Sequence, residues 1–129
     1  MTQNLALLSI LVPDYAAGIA FFVGQMGFDL LEDTDLGGGK RWVRVAPAGA
    51  QTAFLLAKAL GDDQIAAIGQ QGGGRVWLFL QTDDFARDYA AMRANGVTFE
   101  EAPRDEPYGQ VAVFSDPFGN RWDLIRFKR

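Results

Sequence analysis

The sequence predicts an α+β fold made of two copies of a strand–helix–strand–strand–strand (βαβββ) module, and three observations carry that prediction. An apolar run followed by an aspartate that can cap a helix occurs twice, at Asp14-Tyr15 and at Asp84-Phe85. Glycine then closes each predicted helix, with Gly27-Phe28 in the first copy matching Gly96-Val97 in the second. Further on, Val43-Arg44-Val45 matches Val111-Ala112-Val113, and the spacing between corresponding positions shrinks by a single residue at each step. Two short deletions therefore account for the drift, and a repeat used only twice is too short for a solenoid, so the copies pack as one domain.

The elements follow in order. Leu5 to Val12 is a continuous apolar run closed by Pro13-Asp14, which reads as a buried strand. Asp14 caps a helix over Tyr15 to Met26, where Ile19, Phe22, Val23 and Met26 recur at helical spacing, and Phe28 to Glu32 starts the next strand. Lys40 to Ala46 alternates, with Trp42 and Arg44 on one face and Arg41, Val43 and Val45 on the other. The preceding Gly37-Gly38-Gly39-Lys40 lacks the Walker pattern and sits between strands, so it reads as a hairpin turn and not a phosphate loop. Thr52 to Ala57 is the fourth strand.

Residues 58–74 hold a short helix from Asp62 to Ile68 and the flexible Gly72-Gly73-Gly74, a linker inside a domain. Arg75 to Thr82 reads as a strand and Phe85 to Asn95 as a helix, with Phe85, Tyr89 and Met92 in register. Val97 to Glu100, Gln110 to Phe114 and Arg121 to Phe127 supply three more strands. One module covers about 4–57 and the other about 75–129.

Composition narrows the chemistry. A chain of 129 residues is the size of one domain, and its formal charge of −4 argues against a nucleic-acid partner. Cysteine and histidine are both absent, which removes disulfides, thiolate zinc sites, the cysteine nucleophile and the usual general base. No apolar run reaches the roughly 18–20 residues of a membrane span, and Met1 to Asn4 lack the basic start of a secretory signal, so no membrane partner and a cytoplasmic location are expected.

One stretch raises a chemical question. In Ser115-Asp116-Pro117-Phe118-Gly119-Asn120-Arg121-Trp122-Asp123-Leu124-Ile125-Arg126-Phe127, a turn feeds a strand whose parity puts Asp123 on the same face as Arg121, Ile125 and Phe127. Burying a carboxylate is costly unless it is paired, hydrogen-bonded or bound to a metal. Arg121, Arg44 and Arg41, or a ligand that hydrogen-bonds it, are the candidate partners.

The duplicated βαβββ order, the Asp-aromatic start of each helix, the Gly-Phe after the first helix and the segment DPFGNRWDLI together resemble the vicinal oxygen chelate superfamily. That superfamily includes glyoxalase I, bleomycin-resistance proteins and extradiol (dihydroxybiphenyl) dioxygenases. The resemblance covers essentially the whole chain. It implies that each module forms a curved mixed sheet, the two making a cup or barrel around a central cavity. It also implies a homodimer, because resistance proteins of this kind bind their ligands in grooves between two subunits.

In the metalloenzymes of the superfamily, a divalent ion is held by a residue early in the first strand of each module and a carboxylate in the last. Here the first-strand positions fall on Leu7 and Trp77, and the last-strand position of the first module falls among Ala53, Phe54 and Leu55. Asp123 alone keeps a carboxylate. One ligand holds a metal weakly at best, so no metal and no cofactor are expected.

From these positions, parity places Ser9 and Leu11 beside Leu7, and Phe79 and Gln81 beside Trp77. The expected ligand-binding set is Leu7, Ser9, Trp42, Arg44, Phe54, Trp77, Phe79, Gln81, Tyr108 and Arg121, with Asp123 as the candidate catalytic group. Tyr108 lies in the polar segment Arg104 to Gly109, a candidate gate or an ordinary connection. Glu100-Glu101 and Asp62-Asp63 read as solvated surface charges. Three functions follow: a metal-free binder of a small aromatic or amphipathic molecule, an enzyme with an atypical metal site or with Asp123 as base, and a partner-binding module that uses the edge strands.

Overall fold

A computed structural model describes residues 2–128. The chain divides into two compact units, one ending at Ile68 and the other beginning at Gly69. In the first unit, β1 (Leu7–Val12) leads into α1 (Tyr15–Ile19), which continues as a π-helical segment (Ala20–Gln25), followed by β2 (Asp29–Gly37), β3 (Lys40–Ala46), β4 (Ala53–Lys58) and α2 (Gly61–Ala67). The second unit runs β5 (Val76–Gln81), α3 (Phe85–Ala94), β6 (Thr98–Phe99), β7 (Arg104–Glu106), β8 (Gly109–Ser115) and β9 (Arg121–Phe127).

The strand order is β1-β4-β3-β2 in one sheet and β5-β9-β8-β6 in the other, with β7 also pairing β8. In each, the first strand lies parallel to the last and the remaining pairs are antiparallel. The predicted α+β fold and duplicated βαβββ order are thus present. Both helix starts are capped as the sequence requires: Ala17 N–H donates to Asp14 Oδ1 at 2.7 Å and Arg87 N–H to Asp84 Oδ1 at 3.1 Å.

The helix expected from Tyr15 to Met26 changes pitch after Ile19. Met26 N–H reaches back to Phe21 C=O at 2.9 Å and Phe28 N–H to Phe22 C=O at 2.8 Å, a wider turn than an α-helix makes. The widening turns two successive rings inward, Phe21 at 2% exposure and Phe22 fully buried, whereas Ile19, Val23 and Met26 remain half-buried. Phe22 stacks with Phe28 and Phe54, at centroid distances of 5.8 and 6.2 Å.

Two strands exceed expectation. β2 extends to Gly37, and β7 occupies part of the segment read as a loop, making a tight hairpin in which Arg104 to Glu106 pairs with Gly109 to Val111. Charged residues and Pro107 concealed β7, whose pairing comes from its neighbour and not from β propensity.

The DPFGN turn is built around one carboxylate. Asp116 is 4% exposed; its Oδ1 accepts from Phe118 N–H and Asn120 N–H, both at 3.0 Å. Its Oδ2 accepts from Asn120 Nδ2 at 3.0 Å and from Trp122 Nε1 at 3.1 Å. The turn therefore fixes the buried Trp122 indole, and with it the register of β9. Trp122 and Leu124 then face the ring chain of Phe114, Phe99 and Tyr89, while the residues between them take the opposite face.

Candidate functional site

Strand parity in the second unit gathers one face around Asp123. On β9, Asp123 pairs with Phe79 of β5 on one side and Val113 of β8 on the other, and Ile125 pairs with Gln81 and Val111. Val111 in turn pairs with Arg104 of β7. Asp123, Phe79, Gln81, Ile125, Val111, Val113 and Arg104 therefore share a face.

Asp123 is 7% exposed, and its Oδ1 is buried without a hydrogen-bond partner among the described residues. The arginines expected to pair with it are engaged elsewhere. Arg121 Nη2 is 3.0 Å from Glu100 and its Nη1 donates to Gly74 C=O at 3.2 Å. Arg41 pairs with Asp33, and Arg44 with Glu32 at 3.0 Å. Arg104, on the same face, is held between Glu101 at 2.9 Å and Glu106, and Glu101 also accepts from Val113 N–H at 3.2 Å. Glu100 and Glu101 are thus structural partners and not merely solvated charges. Hydrogen bonding to Arg121 holds the Glu100 carboxyl below its usual range.

Burial pushes the Asp123 carboxyl above its ordinary value of 3.8; Arg104 opposes this, Glu101 adds to it and Arg121 opposes it. A carboxyl raised in the folded state favours folding while protonated, and that contribution is lost as pH rises through the raised value. Asp123→Asn is therefore expected to stabilise the protein by about 1 kcal/mol at neutral pH. The gain should shrink to nothing as pH falls below 3.8, read from urea midpoints across pH. A variant less stable than the parent at neutral pH would show that Asp123 has a partner.

The other predicted residues fall as follows. Phe79 is 61% exposed, and Gln81 and Ser9 are also exposed, so of the three polar groups expected to need buried partners only Asp123 does. Trp77 is half-buried at the irregularity between Val76 and Leu78, its Cβ packed on Gly72. Tyr108 is 51% exposed in the β7–β8 hairpin, an ordinary strand connection. Arg121, the first residue of β9, is held by Glu100. At the far end of the Asp123 face, Gln81 and Phe127 join Thr82, Asp83, Arg126 and Lys128 around a cavity of about 720 Å³.

In the first unit, register aligns Ser9, Leu55 and Arg44, so Leu7, Ser9, Trp42 and Arg44 share one face. Phe54 does not join them. It pairs with Leu8 and Val45 and stacks in the Phe22 and Phe28 cluster on the helix side. Counting one residue along β4 moves a side chain to the other face, and only the observed register decides it. Arg104, Glu101 and Glu106 were missed; the parity of Arg104 could have been read once β7 was recognised as a strand.

The profile of the Glyoxalase/Bleomycin resistance protein/Dioxygenase superfamily matches residues 4–124. The chain belongs to that superfamily. An uncharacterized protein of Shewanella frigidimarina is 46% identical over 128 residues, covering 98% of this chain and 95% of that protein. Among solved structures, TnmS3, an antibiotic binding protein from Streptomyces sp. CB03234, is 34% identical with a TM-score of 0.79, covering 98% of each chain. A glyoxalase/bleomycin resistance protein from Streptomyces sp. CB03234 is 36% identical with a TM-score of 0.72, covering 95% of this chain and 99% of that one.

In the superfamily's metalloenzymes the divalent ion needs oxygen or imidazole donors at the first-strand and last-strand positions. Leu7, Trp77 and the Ala53 to Leu55 stretch offer hydrocarbon or indole where oxygen or imidazole donors would be required, and Asp123 stands by itself. Among the described residues, no group of three or more Asp or Glu side chains is placed to hold a metal ion. The donor set does not fit. Among the described residues, no helix is long and apolar enough to cross a membrane.

Proposed function

We propose that the protein is a metal-independent binder of a small aromatic or amphipathic molecule, held over the Asp123 face with a hydrogen-bond donor of the ligand on the Asp123 carboxylate. The observation that carries this reading is the buried, unpaired Oδ1 of Asp123 beside an exposed Phe79. A buried acceptor left open costs stability, and an aromatic wall with one convergent polar group is how small-molecule sites are built. The likeness to an antibiotic binding protein supports it. We place the protein in the cytoplasm as a homodimer, with Leu30, Leu31 and Leu36 exposed on β2 as support for association.

The test is a fluorescence titration with naphthol and with methoxynaphthalene, which lacks the donor. Naphthol should bind about tenfold or more tightly, and Asp123→Leu should erase the preference. Equal binding of the two probes would remove Asp123 from the site. The same preparation, made without a polyhistidine tag, offered Mn, Fe, Ni, Zn or Mg and weighed by sedimentation, should retain no stoichiometric ion and run as a dimer. A bound ion in each chain would overturn the metal-independent reading, and a monomer the homodimer.

A second reading rests on the same carboxylate. A base works best when its pKa approaches the working pH, and burial moves Asp123 in that direction, so a metal-free catalyst would use Asp123 to take a proton. Turnover surviving in Asp123→Asn would rule this out.

A further inference from the structure

The first unit contains a cavity with chemistry opposite to that of the Asp123 face. β3 and β4 pair only where Val43 to Val45 meets Leu56 to Phe54, although β3 begins at Lys40 and β4 ends at Lys58. Beyond Val43 the two strands separate. Tyr15 occupies the gap: its hydroxyl accepts from Arg41 N–H at 3.1 Å, and the Arg41 guanidinium lies 5.2 Å over its ring. A cavity of about 360 Å³ opens at the same place, within the size range of small-ligand pockets.

Its walls are apolar and aromatic, from Tyr15, Trp42, Leu55 and Leu60, and no acidic side chain lines it. Lys40 and Lys58 stand at its edge, both exposed, and among the described residues neither is paired with a carboxylate. Arg41, the third cation, is neutralised by Asp33. A mainly apolar, aromatic-lined enclosure with two unneutralised ammonium groups at its edge is complementary to an aromatic anion. A cationic ligand would face the like charge of both lysines.

We infer that this cavity is a binding site for a small aromatic carboxylate, its ring beside Trp42 and its carboxylate between Lys40 and Lys58. The site shares no residue with the Asp123 face, so either can fail without the other.

The test follows backbone amide shifts of the isotope-labelled full chain on addition of naphthoate and, separately, of naphthylmethylamine. Naphthoate should move the amides of Gly38, Gly39, Leu60 and Gln64 in a saturable way, more weakly as salt is raised. Combined Lys40→Gln and Lys58→Gln should weaken it about fivefold or more while leaving the naphthol titration unchanged. Ala57→Phe, which fills the cavity without touching charge, should block it. Equal shifts from the amine, unchanged affinity in the double variant, or shifts confined to Phe79 and Asp123 would each overturn the inference. The last result would still leave a ligand on the second unit.

Discussion

Gly69→Ala is expected to destabilise the protein by about 3–5 kcal/mol, a large part of what a domain this size has. A Cβ at position 69 would lie 1.9 Å from Phe118 O and 2.8 Å from Phe118 C, both backbone atoms of the DPFGN turn. Neither can swing aside as a long side chain would. The backbone at Gly69 also has φ +72°, where an L side chain adds about 1–2 kcal/mol. Gly73→Ala separates the two contributions: its φ is +65° but nothing lies within 4 Å of its Cβ, so it should cost only the conformational part. Equal urea midpoints for the two variants would mean that Gly69 does not press on the turn.

Asp116→Ala should cost a similar amount, about 4 kcal/mol, because it orphans four donors at once, among them the buried Trp122 indole N–H. Asp116→Asn should fall between, since it keeps one acceptor oxygen and presents an amide to donors that need the other. Near-ultraviolet circular dichroism reports the loss directly through Trp122. An unchanged Trp122 signal in Asp116→Ala would show that the turn holds its shape by backbone bonds alone, such as Asp116 N–H to Asn120 C=O at 3.0 Å.

What could be read in the sequence was local. Asp14 and Asp84 announce their helices because an N-cap acts over three residues, and the turn before β9 is legible from its own five letters. Partners across strands were not legible. Arg121, Arg44 and Arg41 looked available to Asp123, but Glu100, Glu32 and Asp33 compete for them, and that competition is settled by register. The π-helical turn that buries Phe21 beside Phe22 breaks the 3.6-residue pattern used to find it. The separation of β3 from β4 leaves no mark in composition, so the Lys40 and Lys58 cavity is visible only in three dimensions.

The pairing of first strand with last has a consequence for synthesis. During translation, β5 emerges well before β9, its parallel neighbour, and Phe79 and Leu80 have no ladder on that side until Asp123 and Leu124 follow. The local β7–β8 hairpin can form earlier, but the seam that completes the sheet closes late, over a long loop. A nascent chain that has emerged only as far as Asn120 therefore exposes a second unit with an open, apolar edge, while the first unit, whose β1 and β4 have both emerged, is already able to close.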